Sequence, residues 1–317
     1  MSTRVAATEP TPERLANPLV RYVLATRPAF LSITLVGCVL GVATAWFSGT
    51  PLHWGRAALT VVLALLAHAA VNVLNDYCDH RSGTDARNTD RIYPFTGGSR
   101  FIQNGVLSPR QVLALAWVLF AATIAGGLWL VSAAGAGLAW IGLAGLTIGW
   151  GYSAAPLRLN SRGLGEISVA AGFLLVVAGA DYVQRDTWAA LPWLAGLPYA
   201  LLVTNILYIN QFPDRAADRA SGKLHWVARL DPRTASRGYA LILVAAFVAL
   251  AAGIVGGALP KAAALAFLAF VPALGAWLQL RRFAAQPAHL APAIRLTLLA
   301  GHALPLALAL ALGLSRP

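Results

Sequence analysis

Two short stretches of the sequence place carboxylates and carboxamides at helical spacing. In the first, Asn72, Asp76 and Asp79 fall at i, i+4 and i+7, followed by Gly83 and Asp85. In the second, Asn210, Asp214 and Asp218 fall at i, i+4 and i+8, followed by Gly222 and Lys223. On a helix each set lines one face. Like charges at that spacing repel, and a bound divalent cation removes the repulsion. An all-oxygen ligand set suits Mg²⁺, which keeps several waters and shares its shell with phosphate oxygens. Two such faces set opposite each other would hold two ions with a diphosphate between them. The metal candidates are therefore Asn72, Asp76, Asp79, Asn210, Asp214 and Asp218. Arg100, Arg158 and Lys223, in or beside the same loops, are candidates to neutralise a departing diphosphate. The motifs also read as a weak internal repeat: Asn72 to Asn210 and Asp76 to Asp214 are both 138 residues apart. That spacing suggests pseudosymmetric halves meeting at one cavity.

The elements that must position these residues are membrane helices. The chain has 317 residues, 58% of them hydrophobic and 11% charged, whereas soluble domains carry about 25% charged residues. Nine apolar stretches are long enough to cross a bilayer, at approximately 28–48, 57–76, 110–131, 134–153, 164–183, 190–211, 237–257, 260–280 and 292–314. With nine spans, only Arg56, Arg185, Lys261 and Arg316 of the 24 basic residues fall on one side, and the other 20 share the side of the N-terminus. By the positive-inside rule that side is cytoplasmic. The net charge of +12 is thereby accounted for as topology, without a nucleic-acid partner. Of 12 acidic residues, seven sit in the two longest loops of the basic side or at the helix ends feeding them. Acids do nothing for orientation there, so their clustering points to function. Residues 1–24 show no signal-peptide pattern and are expected to form a cytoplasmic tail, mostly disordered up to about Asn17. Residues 25–317 form the membrane domain.

Other residues carry weaker signals. Cys38 and Cys78 are expected at different depths and unpaired. The six histidines form no His-x-x-x-His pair; His68 reads as a packed polar residue within the second span, and His80 adjoins Asp79. Trp54 and Trp188 read as interfacial anchors. No Gly-rich nucleotide loop is present.

With both motifs placed on the second and sixth of nine spans, the chain resembles the UbiA superfamily of intramembrane aromatic prenyltransferases. Further segments agree: Tyr93 to Arg100 with its Gly97-Gly98 pair, Gly151 to Arg158 with Tyr152 and Pro156, and Leu164-Gly165-Glu166. The stretch Gly179 to Gln184, together with the Asn75-Asp76-Tyr77-Cys78-Asp79 form of the first motif, resembles the 1,4-dihydroxy-2-naphthoate polyprenyltransferases of the menaquinone branch. The resemblance runs from about residue 20 to the C-terminus. Two departures stand out: relatives often have a Lys where this chain has Asn160, and usually run Arg-Thr-Leu where it has Leu224-His225-Trp226.

The resemblance implies an all-α bundle of nine transmembrane helices around a central cavity, in the cell inner membrane, with its site on the cytoplasmic side. It implies Mg²⁺-assisted loss of diphosphate from an allylic polyprenyl diphosphate and capture of the resulting carbocation by an electron-rich aromatic acceptor. Asp76, Asp79, Asp214 and Asp218 would act there, with Tyr152 and Tyr208 stabilising the cation through their π faces. In the menaquinone branch the attacked carbon bears a carboxylate that leaves as CO₂. The implied partners are a polyprenyl diphosphate, an aromatic acceptor and the lipid bilayer; oligomeric state stays open. A 4-hydroxybenzoate, homogentisate or porphyrin-like acceptor keeps the chemistry and changes the pocket. A phosphatidyltransferase would need an Asp-Gly dipeptide and an Ala-Arg pair that the first motif lacks. A transporter would place its ionisable groups near the bilayer midplane.

Overall fold

Long apolar runs form helices because a lipid-exposed backbone must satisfy its own hydrogen bonds. A computed structural model describes residues 8–316 as a helical bundle with no strand among them. Its helices are α1 (Pro18–Ala25), α2 (Pro28–Phe47), α3 (Trp54–Ser82), α4 (Thr84–Arg87), α5 (Pro109–Ala134), α6 (Gly137–Ser153), α7 (Gly165–Arg185), α8 (Leu191–Ala220), α9 (Trp226–Arg229), α10 (Pro232–Val255), α11 (Phe270–Phe283) and α12 (Ala291–Leu314). A 3₁₀ segment, Lys261–Ala269, leads into α11. Local sequence sets the starts. Ser108 and Gln111 close a reciprocal capping box ahead of α5, and Asp231 accepts the Thr234 N–H at 3.0 Å ahead of α10.

Eight helical segments among the described residues are long and apolar enough to cross a membrane, which corrects the expected count of nine. The shortfall is α6, whose 17 residues end before Pro156 and span about 25 Å at 1.5 Å per residue, the lower limit for a crossing. The alternation of ends holds nevertheless. Arg91 Nε donates to Glu9 Oε1, Arg27 Nη2 to Phe95 O, Leu224 N to Ser161 O and Trp226 Nε1 to Gly163 O, so the N-terminal stretch and the basic loops meet at one end. At the opposite end Arg56 pairs with Asp186, the His53 N–H reaches Gln184 and Arg316 reaches the Gly49 carbonyl.

Residues 1–7 of the expected tail lie outside the described residues. The part from residue 8 onward is more ordered than the sequence suggested. Glu9 sits 2.6 Å from Arg91 Nη2 and accepts from Asn104 Nδ2 at 3.1 Å, and Asn17 caps α1 through the Leu19 N–H.

The buried core is divided. One large cluster joins α2, α8, α10, α11 and α12. A smaller one joins α3, α5 and the loop at Phe101–Leu107, and a third ties α3, α5, α6 and α7 at the far end. The two motif helices play matched parts, α3 packing on α5 and α8 on α10. Between the clusters lies a cavity of about 630 Å³.

Candidate active site

All six residues of the two motifs line that one cavity. Helical periodicity puts each row on one face, and packing turns the two faces toward each other. Their separation is measured by Lys223, whose Nζ lies 3.0 Å from both carboxylate oxygens of Asp79 on α3 and 3.4 Å from Asp218 Oδ1 on α8. The end of α8 aims this lysine. The Lys223 N–H bonds back to Asp218 O at 2.8 Å and the Gly222 N–H to Arg219 O at 3.2 Å, a Schellman turn that needs the left-handed φ of 78° at Gly222. Burial pulls the Lys223 ammonium down, but the charges of Asp218 and Asp79 outweigh it and hold its pKa well above the ordinary lysine value.

The loop after α3 folds over the acids. Gly83 ends α3 in a left-handed conformation, and α4 then carries Asp85 and Asn88 into the cavity wall. Asn88 Nδ2 donates to Asp214 Oδ1 at 2.6 Å, and the Ser99 N–H donates to Asp76 Oδ2 at 3.2 Å. Gly98, at φ 73°, makes this approach possible: a Cβ there would stand 2.8 Å from Asp85 Oδ2 and 3.1 Å from Asp76 Oδ1. Burial, and then the charges of Asp79 and Asp76, push the Asp85 carboxyl up to about 9.

The donor set fits a hard divalent cation. The Asn72 amide nitrogen donates to Thr26 O at 3.1 Å, which frees its oxygen. Asn210 Oδ1 is buried without a hydrogen-bond donor, a costly state that a cation relieves, and Asp218 Oδ1 is met only by the Lys223 ammonium at 3.4 Å. Among the described residues no three His, Cys, Asp or Glu side chains close a complete ligand cage. An arrangement of facing rows suits an ion that takes one or two carboxylates and completes its shell with substrate phosphate and water.

Three sequence candidates are placed elsewhere. Tyr208 is absent from the cavity wall; its hydroxyl donates to Ala235 O at 2.9 Å and its ring lies edge-on to Phe212, inside the large core. Arg100 is absent from the cavity wall and donates from Nη1 to Asp85 O at 2.6 Å, with Nε 3.8 Å from Glu9. Arg158 is exposed on a left-handed turn residue with φ 45°. Tyr152 does line the cavity, as does Asn160, whose amide nitrogen donates to Ser153 Oγ at 3.3 Å.

Several cavity residues had no place in the site expected from the sequence. Arg27 reaches the acid-lined end from the start of α2, with its guanidinium over the Phe30 ring at 4.9 Å and a buried Nε that has no partner. In the sequence it is one more positive charge at a membrane edge. His68, expected as a packed residue, also lines the cavity, one helical turn before Asn72. Its Nδ1 lies 2.7 Å from Thr34 Oγ1, and its ring is edge-on to Phe173. Asn88 and His225 hold acids of the second motif from segments that no helical spacing links to them. Away from the acids the wall becomes apolar, with Phe120, Leu128, Leu143, Phe173 and Val176 drawn from α5, α6 and α7. That stretch is apolar and carries no acid, which suits a hydrocarbon chain rather than an ion path.

Residues 26–312 match the model of the UbiA prenyltransferase family. Over 237 residues the chain is 33% identical to a 1,4-dihydroxy-2-naphthoate octaprenyltransferase of Escherichia coli, covering 71% of this chain and 73% of that protein. In structure it resembles a UbiA homolog from Aeropyrum pernix K1 in its apo form, with a TM-score of 0.63, 18% identity, and coverage of 89% of this chain and 97% of that one. It also resembles a UbiA homolog from Archaeoglobus fulgidus bound to GPP and Mg²⁺, with a TM-score of 0.57, 13% identity, and coverage of 92% and 99%.

Proposed function

This chain belongs to the UbiA prenyltransferase family, and from that premise we propose that it transfers a polyprenyl group from an allylic polyprenyl diphosphate to 1,4-dihydroxy-2-naphthoate with the help of Mg²⁺. The observation that carries the reading is the facing of two acidic rows across one cavity whose remainder is apolar. The chain is an integral multi-pass membrane enzyme and a prenyltransferase. The acceptor rests on the naphthoate-specific relative, and the cation on the donor set together with the Mg²⁺-bound structural neighbour.

Asn72, Asp76 and Asp79 on one side, and Asn210, Asp214 and Asp218 on the other, would hold the cation. A Mg²⁺ ion held there would supply positive charge to offset that of the diphosphate. Lys223 leaves its bridge between Asp79 and Asp218 to pair with the diphosphate, and Arg27 adds a second positive charge from the neighbouring wall. Tyr152 lines the same cavity, and its ring would stabilise the allylic cation through its π face. The apolar wall seats the tail and keeps water from quenching that cation. The new C–C bond forms at the ring carbon that carries the carboxylate, which departs as CO₂. The basic, site-bearing end faces the cytoplasm across the inner membrane.

The test uses detergent-purified protein with Mg²⁺ and geranyl diphosphate, offered 1,4-dihydroxy-2-naphthoate or 4-hydroxybenzoate in parallel, with products followed by mass. Prenylated naphthoquinol with the carboxyl lost is the expected product. Product from 4-hydroxybenzoate alone would overturn the acceptor, and unchanged turnover in chelator would overturn the cation.

A further inference from the structure

We propose that His225 is a positioning residue for Asp218: it fixes one carboxylate oxygen so that the other stays turned into the cavity, ready for a divalent cation. The inference rests on the reading of the acidic rows as a cation site and adds to it a residue outside both motifs.

His225 is 2% exposed. Its Nδ1 accepts the Ala228 N–H at 3.2 Å, capping α9. A ring nitrogen that accepts carries no proton, so the proton sits on Nε2. Nε2 lies 2.9 Å from Asp218 Oδ2 and donates to it. The backbone cap thus sets the tautomer, and the tautomer sets the carboxylate. Asp218 Oδ1 is the oxygen left over. It is buried and lies 3.4 Å from the Lys223 ammonium, its one polar neighbour across the cavity. Without the imidazole both oxygens would compete for the ammonium, and the carboxylate could rotate off the cavity. The other acids have their own holders: Ser99 N for Asp76, Asn75 Nδ2 for Asp79 and Asn88 Nδ2 for Asp214. His225 completes this outer set from the segment after α8. That segment is itself tied down by Leu224 N donating to Ser161 O at 3.0 Å and Trp226 Nε1 donating to Gly163 O at 3.0 Å. Groups that orient ligands in this way typically govern metal affinity.

Two substitutions separate the cap from the carboxylate contact. His225→Asn keeps a side-chain oxygen for the Ala228 N–H but is too short to reach Asp218. His225→Gln extends an amide N–H toward Asp218 and is a poor cap. The full chain in detergent is titrated with Mn²⁺ alone, and free ion is read by electron paramagnetic resonance. Thermal unfolding in chelator reports the fold, and the Mg²⁺ concentration giving half-maximal prenyl transfer is measured beside the saturated rate. His225→Asn is expected to weaken Mn²⁺ binding roughly 10- to 100-fold and to raise the Mg²⁺ requirement similarly, with little change in the saturated rate, while His225→Gln stays within about threefold of wild type. The reverse order, with Asn like wild type and Gln impaired, would mean that the residue only caps α9 and would overturn the proposal. Unfolding of both variants would overturn it in the same sense. Wild-type protein that binds no Mn²⁺ would remove the cation site itself and this inference with it, an outcome distinct from the other two.

Discussion

The acids of the two motifs are costly residues to bury. Asp76 and Asp218 are each 4% exposed, and a fold that needed only stability would place apolar groups there. Asp76→Ala and Asp214→Ala should each reduce prenyl transfer by at least about 10²- to 10³-fold, the scale of losing a group aimed at developing charge, without loss of membrane insertion. Turnover by single-turnover kinetics and insertion by membrane fractionation check this, and a fully active double variant would sink the cation reading. Tyr208 is a control of the opposite kind. Because its hydroxyl serves the Ala235 carbonyl, Tyr208→Phe should cost about 1 kcal/mol of stability from the lost hydrogen bond and leave the rate per folded molecule unchanged, as compared by thermal unfolding and kcat.

Among the elements, α6 and the N-terminal stretch have separate tasks. Gly145 on α6 lines the apolar part of the cavity, and a Cβ added there would meet nothing within 4 Å. Gly145→Leu should therefore fill the cavity while sparing the backbone. It should shorten the longest diphosphate accepted and leave geranyl transfer within about threefold, since about one leucine side chain of room is lost. Competition between geranyl and longer diphosphates reads this directly. The N-terminal stretch clamps the loop that covers the acids through Glu9. Burial raises the Glu9 carboxyl, but the hydrogen bonds from Asn104 and Arg91 outweigh it and leave its pKa below the ordinary carboxyl value. A lowered folded-state pKa means that the clamp is complete above the ordinary value and is lost as pH falls through the lowered one. Limited proteolysis near residue 9 should accordingly accelerate below about pH 4, the ordinary carboxyl range, and Glu9→Gln should show the faster cleavage already at neutral pH.

For the whole molecule, the ends of the bundle at which the two terminal stretches lie matter more than the length of each helix. Glu9 lies at the end that carries the basic loops, and Arg316 lies at the other, against the loop after α2. We propose that the 17-residue α6 nevertheless crosses beside the eight longer spans, which would put the two termini on opposite sides. A cytoplasmic reporter fused to the N-terminus should be active, and one fused to the C-terminus should be silent. Activity of both would break the alternation of ends.

The sequence by itself determined the class, and it put each acidic row on one helix face beside the basic loops. These follow from local rules: apolar run length, charge placement beside helix ends, and the period of a helix that puts residues four apart on one face. It could not determine which charged or aromatic side chains in the same loops turn inward. Arg100 and Tyr208 share their neighbourhoods with the motifs, yet one serves the Asp85 carbonyl and the other the Ala235 carbonyl. Arg27, Asn88 and His225 enter the site through a left-handed residue, a short helical turn and a capped loop. Lys223 meets Asp79 across 144 residues of sequence. Contacts of that separation depend on how α3 and α8 pack and where the loops between them are pinned, and no periodicity within either helix encodes that.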